Sequence, residues 1–428
     1  MLLTRPARQP RTAATAATAT SPATAATAAT ATSAEAAAVP PARWMWLAAW
    51  PITAVFVLSN AATPLYVLWQ HRIGFSRGTL TVVFAFYILG LLGTLPVAGI
   101  ASDRLGRKHV LLPALAAALV ASGLFATASS VVALMAARLL TGIAVGAAVS
   151  AGMAAVTDVA GPFRRHRAAL LASTAMVFGA GLGPLLSGLL SEAGPAWTVF
   201  AVEAVLLLTA IAVVVRMPIE RPAKAAQGAR WVRVPGVPRP NRRDLAMGIA
   251  VFAPGITSTS FVLSLGPSLL SGMLGTDNRI VAGATAFVMF SAATGVQFAV
   301  RGLERTKVLL IGAASTLAGM AMLVVAVQTK EIVPLVAAAV LAGAGQGLGQ
   351  LGGLSLLNAN VPPQRLAEAN AALNVGGYLL AGTLPVAAGY LSDPLGLATG
   401  STLFAAVLAT LAVIGAAVVA VSSRRRRP

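Results

Sequence analysis

From Trp44 to Val421 the chain alternates long apolar runs with short polar clusters. Each run is close to the ~20 residues that cross a ~30 Å hydrocarbon core. The runs predict helices over 44–68, 79–101, 109–127, 131–156, 168–190, 197–215, 245–270, 280–300, 308–328, 333–357, 368–391 and 397–421. The seventh is long enough to tilt or break near Pro254 or Pro267. Glycine and proline inside such runs are compatible with spanning, because small residues let helices approach in lipid and neighbours re-satisfy freed backbone groups. Two stretches fall outside the pattern. Residues 1–42 repeat Ala and Thr with almost no larger apolar side chain, and are expected to be a disordered cytoplasmic tail. Residues 216–243 are basic, proline-rich and too polar to span.

The runs on either side of that polar stretch repeat each other. A shift of 201 places Gly142 on Gly343, Gly146 on Gly347, Pro162 on Pro363 and Arg164 on Arg365. The same shift aligns Gly181, Pro184 and Gly188 with Gly382, Pro385 and Gly389. The expected organisation is a tail over 1–42, a six-helix half over 43–215, a linker over 216–243, a second half over 244–421 and a basic tail over 422–428. The fold class is an all-α polytopic membrane protein, with twelve transmembrane helices as two six-helix pseudo-repeats around a central cavity. Two parallel halves joined by a loop form the architecture of alternating access.

Charge and composition narrow the function. Only 10% of residues are charged and 57% are hydrophobic, which argues against a water-soluble enzyme. With no cysteine, disulfides and thiolate chemistry are removed, and His71, His109 and His166 are too scattered to form a metal cluster. No metal or cofactor is expected. The sequence lacks a Walker A lysine loop and any GxSxG-type context. A net charge of +19 raises the question of nucleic acid, but 26 basic residues fall on one side of the alternating spans and four on the other. That is a positive-inside signal in an integral cell (inner) membrane protein with both termini cytoplasmic, facing anionic lipid. The bases form no folded soluble domain, so nucleic acid is not an expected partner.

The loop between the second and third spans reads GIASDRLGRK, residues 99–108. Gly99 and Gly106 permit close packing and a sharp reversal. Asp103 is an anion suited to the positive N-terminal end of a helix. Arg104, Arg107 and Lys108 can meet carboxylates such as Asp158. The loop resembles the G-x-x-x-D-R-x-G-R-[RK] motif of the major facilitator superfamily, and the likeness covers nearly everything from 44 to 421. The resemblance implies a conformational latch in which Asp103 faces the eleventh helix, which begins near Glu368. The second-half copy, VRGLERTK, lacks the Asp, so the latch is expected to be one-sided.

Two charges lie inside predicted spans. Arg138 opens RLLTGIAVG about seven residues into the fourth span, roughly 10 Å deep at 1.5 Å per residue. A buried ionised group is a functional candidate by default; packing against backbone carbonyls of the first helix is the alternative. The resemblance associates this arginine with proton coupling. Glu203, in the sixth span, could pair with Arg138, carry a proton by itself, or be structural. In the fifth span GAGLGPLLSG resembles the G-x-x-x-G-P-x-x-G-G signature of drug:proton antiporters of that family. Gly179, Gly183, Pro184 and Gly188 match it, and with Gly142 and Gly146 they form close-packing faces.

From the spans that the family uses to line its path, the candidate cavity set is Asn60, Tyr66, Trp69, Tyr87, Thr257, Ser260, Gln297, Gln346, Gln350, Asn370, Asn374 and Tyr378. Interhelical hydrogen bonding is the alternative for each. The set is neutral and partly aromatic, which suits a small lipophilic or uncharged substrate. The expected function is a secondary transporter, monomeric, binding a small-molecule substrate and protons, and working by proton-coupled efflux. Symport of a sugar, nucleoside or organic acid remains open, as does a transport-inactive membrane sensor.

Overall fold

The computed structural model describes residues 41–219, 235–275 and 278–424. All but the last two residues of the expected tail over 1–42 therefore lie outside the described residues, as do 220–234 of the linker and the final four residues.

Twelve helices long and apolar enough to cross a membrane occur among the described residues. In the first half they are α1 (Arg43–Ile73), α2 (Arg77–Leu105), α3 (Arg107–Ala126), α4 (Val131–Ala160), α5 (Arg165–Ala193) and α6 (Trp197–Arg216). In the second half they are α7 (Arg242–Leu274), α8 (Arg279–Ala299), α9 (Arg305–Thr329), α10 (Ile332–Asn360), α11 (Leu366–Leu395) and α12 (Leu397–Arg424). Capping side chains set several starts: Ser76 and Ser130 accept the Thr79 and Ala133 N–H groups, and Asn278 accepts those of Ile280 and Val281. Gly106 both ends α2 and begins α3 at φ 98°, a conformation that a side chain would strain. That is the physical need for the second glycine of GIASDRLGRK.

Three details depart from the hydropathy pattern. Of the tilt or break that the seventh run allows near Pro254 or Pro267, the break does not occur, because α7 runs unbroken through both. Instead α1 is interrupted, its Arg43–Ala61 segment passing through a 3₁₀ turn at Thr63–Leu65 into Tyr66–Ile73. Pro64 sits in that turn, where its missing N–H leaves no helical bond to break. α4 carries a π-helical turn at Ala148–Gly152. In addition, α6 reaches Arg216, α7 begins at Arg242 and α12 reaches Arg424, so the linker and C-terminal tail are shorter than their sequence boundaries.

The halves pack alike. α2 lies against α4 as α8 lies against α10, and the two halves meet along two seams, α5 with α8 and α2 with α11. α1 and α7, the first helix of each half, are the most enclosed, with 89% and 78% of their apolar windows buried. The repeat extends to atomic detail. A Cβ on Gly142 would run into the Tyr87 carbonyl, and one on Gly343 into the Met289 carbonyl. Gly146 similarly sits against Thr94, and Gly347 against the Ala293 carbonyl. On the other face of the first half, Gly179 and Gly183 of α5 lie on the Thr53 and Val57 carbonyls of α1.

Among the described residues, the close contacts along the seams gather at one end. One end of the bundle, here called the basic end, carries Arg104, Arg107, Lys108, Arg164, Arg165, Arg167, Arg301, Arg305 and Arg365. At the opposite end Asp393 of α11 accepts the N–H groups of Arg77 and Gly78 at 3.0 and 3.1 Å. Glu192 of α5 accepts the Arg279 N–H at 2.8 Å, and Ser268 of α7 donates to Gln70 of α1 at 3.2 Å. Gly188 packs on the Arg279 carbonyl, and Gly283 on that of Pro184. Past the middle of the bundle the facing stripes separate. Leu170, Thr174 and Phe178 of α5 are exposed, as are Ser291 and Phe298 of α8. A Cβ on Gly93 or Gly99 of α2, or on Gly295 of α8, would meet nothing within 4 Å. The two halves thus form a V that is closed opposite the basic end.

Candidate functional site

Among the described residues, Arg138 is the largest fully buried side chain. α4 projects it into the first half, where its Nη1 donates to the Ser59 carbonyl of α1 at 2.6 Å. Its guanidinium carbon stands 5.1 Å from the Tyr66 ring centroid, 5.5 Å from Phe84 and 5.7 Å from Phe125. The cage thus draws one aromatic wall from each of α1, α2 and α3. It is attractive to a cation, and the buried Tyr66 hydroxyl, the one acceptor among the three rings, interacts with the guanidinium, but Nε and Nη2 make no hydrogen bond of good geometry. The carbonyl contact is the one expected of a packing role. The two idle donors are what packing does not explain, since a buried donor without a partner costs about 1–3 kcal/mol.

Glu203 is 2% exposed, and α6 presents it to α1 beside the Leu58 backbone. Its Oε1 has no hydrogen-bond partner. Arg138 and Glu203 therefore approach adjacent residues of α1, Ser59 and Leu58, without forming an ion pair. The possible pairing of the two charges is not realised. A carboxylate and a guanidinium, each incompletely satisfied, flank the same turn of a helix that breaks three residues further on.

At the basic end, Arg107 gathers residues of the expected latch. Its Nη1 donates to Asp103 at 2.6 Å and to Ser102 at 2.9 Å, and its Nε donates to Asp158 at 2.8 Å. Two anions on one guanidinium tie the α2–α3 turn to α4. Lys108 is directed elsewhere than expected, to the Val215 carbonyl at the end of α6, where a cation suits the exposed carbonyls. Glu368 pairs with Arg365, the residue that precedes its own helix. The hydrogen bonds from Arg107 to Asp103 and Asp158 join residues of one half.

The expected cavity set divides. Tyr66 and Trp69 are buried within the first half: Tyr66 belongs to the Arg138 cage, and Trp69 stacks on Phe125 at 5.7 Å and on Phe200 at 6.1 Å. Asn60 donates across to the Ala180 carbonyl of α5 and, on its own helix, to Ser59 Oγ. Thr257 and Gln297 hydrogen-bond to carbonyls one turn back on their own helices, Ala253 and Ala293. Ser260 is buried on α7 and accepts the Ser264 hydroxyl at its own carbonyl. Near the α2–α11 seam, Tyr87 lies close to Tyr378, which meets Phe252 edge-on at 6.2 Å. Gln346 Oε1 and Asn370 Oδ1 are buried without partners. Gln350 and Asn374 are half-buried on α10 and α11. The aromatic trio Trp69, Phe125 and Phe200 was not expected from sequence. It forms one wall of a cavity of about 300 Å³ at the end opposite the basic face, and Arg72 and Arg279 also line that cavity. No group of His, Asp and Glu able to hold a metal occurs among the described residues.

The sequence model of the Major Facilitator Superfamily matches residues 45–303, more than half of the chain. Among curated proteins, the chain is similar to the 3-(3-hydroxy-phenyl)propionate transporter of Escherichia coli (strain K12). That match is 36% identical over 141 residues, 31% of this chain and 33% of the relative. It is also similar to a multidrug resistance protein B homolog of Mycobacterium tuberculosis, 27% identical over 184 residues, 42% of this chain and 31% of the relative. These alignments span about a third of the relatives' length. Among solved structures, a nucleoside transporter NupG mutant superposes with a TM-score of 0.72 at 13% identity, covering 88% of this chain and 99% of that one. A bacterial homolog of the human lysosomal transporter Spinster, inward-facing and unoccupied, gives 0.70 at 15% identity, covering 89% and 96%.

Proposed function

Because the chain belongs to the Major Facilitator Superfamily, we propose that it moves a small lipophilic or uncharged solute across the cell membrane by alternating access, expelling it in exchange for protons. The basic end faces the cytoplasm in this reading, since cytoplasmic loops hold the excess of Lys and Arg. The V-shaped arrangement is then the state open to the cytoplasm, ready to take solute from that side. Asp103, Arg107 and Asp158 act when the cytoplasmic side closes, by presenting an anion to the facing half.

The observation that carries proton coupling is the pair of incompletely satisfied charges on adjacent residues of α1. Glu203 Oε1 and two Arg138 nitrogens are buried with no partner. A group that exchanges a proton during a cycle must tolerate both states, so a site satisfied for one charge state alone would resist the exchange. Pro64 and the 3₁₀ turn after Asn60 give α1 a place to bend, which could carry a protonation change from Glu203 to the seams. The similarity to a multidrug resistance protein B homolog favours efflux. The test is substrate-induced proton movement in inverted vesicles: wild type releases protons when substrate is added, and Glu203→Gln binds substrate without releasing them. Proton release by Glu203→Gln at the wild-type rate would remove Glu203 from the mechanism.

A second reading, symport of an organic acid, is favoured by the similarity to a transporter named for a phenylpropionate. Reversing the imposed pH gradient separates the two, because solute moves with the protons in symport and against them in antiport.

A further inference from the structure

We propose that Glu192 and Asp393 form a duplicated clasp that holds the end opposite the basic face shut, and that release of both is what lets that end open. The inference rests on the alternating-access reading above. The two carboxylates occupy equivalent points of the internal repeat: the shift of 201 that puts Gly188 on Gly389 also puts Glu192 on Asp393. Each lies about one turn beyond its glycine, near the C-terminal end of the fifth helix of its half. Each reaches across a seam to the first turn of the second helix of the other half.

On both seams the carboxylate accepts from the first backbone N–H of the facing helix. Asp393 receives the Arg77 N–H on Oδ1 at 3.0 Å and the Gly78 N–H on Oδ2 at 3.1 Å. Glu192 receives the Arg279 N–H on Oε1 at 2.8 Å. Amides in the first turn of a helix have no partner within it and form the positive end of its dipole, so a carboxylate complements them in both hydrogen bonding and charge. The repeated glycines allow the reach, since a Cβ on Gly389 would stand 2.9 Å from the Arg77 carbonyl and one on Gly188 would press on that of Arg279. The α5–α8 clasp gains a second bond, from Arg279 Nη1 to the Ser191 carbonyl at 2.6 Å. On the α2–α11 side, the Tyr390 ring covers Gly78.

The two ends of the molecule are thus built unequally. At the basic end the acid occurs in one half only, the counterpart of Asp103 under the shift of 198 being Arg301. At the opposite end it occurs in both. Two clasps against a one-sided latch bias the unliganded chain toward the closed opposite end. Both carboxylates are exposed, so each clasp is modest, shifting the balance about threefold, and the two together about tenfold.

The chain has no cysteine, so spin labels can be placed on introduced cysteines without background. One pair, at Ser129 and Gln328, reports the opposite end; the other, at His166 and Gln364, reports the basic end; all four positions are exposed. Distances are measured by double electron–electron resonance in the full chain in lipid nanodiscs. The double variant Glu192→Gln with Asp393→Asn should add a longer Ser129–Gln328 population and a shorter His166–Gln364 one, with the ratio of states moved about tenfold; each single variant should move it about threefold. Asp393→Glu and Glu192→Asp, which keep the charge, should restore most of the wild-type ratio. Wild-type distances in the double variant would overturn the proposal, as would equal shifts in the charge-keeping and charge-removing variants. If the double variant does not fold, the singles decide by the same ratios, and unchanged ratios in both overturn it. A shift in distances from a chain that carries no solute would retain the clasp and reject transport; unchanged distances in a working transporter would do the reverse.

Discussion

Replacing Arg138 by methionine separates a functional arginine from a packing one. The substitution keeps the length and apolar stem of the side chain and removes the cation. What it loses is one charge-assisted hydrogen bond to the Ser59 carbonyl, about 1.5–3 kcal/mol, and three cation–π contacts of about 0.5–2 kcal/mol each. What it gains is relief of two buried donors without partners, about 1–3 kcal/mol each, and of the desolvation of a buried charge, which is several kcal/mol. The two sides nearly cancel, so folding stability should change by no more than about 2 kcal/mol in either direction. Transport per folded molecule should nevertheless fall at least about a hundredfold, if the cation is required to set the state of its surroundings in each cycle. Thermal unfolding followed by tryptophan fluorescence reads the first quantity, and proton-driven solute flux in proteoliposomes reads the second. A variant that unfolds readily while its folded fraction transports normally would refute the reasoning and leave Arg138 as a packing residue.

Other expectations follow from the same geometry. Asp103→Asn and Asp158→Asn each remove one of two anions on Arg107, and both carboxylates are about half exposed, so each should cost under about 1 kcal/mol of stability. Both should slow transport in proteoliposomes, and normal rates would remove the latch role. Gly142→Val and Gly183→Val force a side chain into the Tyr87 and Val57 carbonyls and should abolish the monodisperse peak in size-exclusion chromatography, whereas Gly99→Ala, which meets open space, should leave it intact. Glu203→Gln keeps the shape of a buried side chain and removes its ionisation, so its unfolding temperature should equal or exceed that of wild type while proton coupling is lost.

How far the sequence reaches can be judged from particular residues. The twelve spans are legible because lipid imposes long uncharged runs, and the repeat is legible because Gly142 and Gly343, placed by the same shift, must both admit a neighbouring carbonyl. The second glycine of the α2–α3 loop is legible because a backbone at φ 98° requires it. Proline was a poor guide to breaks. Pro254 and Pro267 lie in an unbroken helix and Pro64 marks the interruption, and hydropathy is blind to which freed carbonyl finds another partner. Polarity alone does not say which partner a side chain takes. Thr257 and Gln297 satisfy themselves on their own helices, and Trp69 turns into the first half, because in a span apolar on every side the rotation is set by packing partners that no single-helix pattern records. Glu192 and Asp393 carry no motif in sequence, and they stand out only when α2 and α8 are seen to begin against them.

The central claim is that two buried charges couple proton movement to solute movement through one alternating cycle. The direct measurement is a substrate panel in proteoliposomes that records solute flux and proton flux together, for wild type, Arg138→Met and Glu203→Gln. The account predicts that at least one lipophilic or uncharged solute moves against protons in wild type, and that both variants stay folded and lose the coupled flux. Coupled flux at wild-type rates in both variants would contradict it.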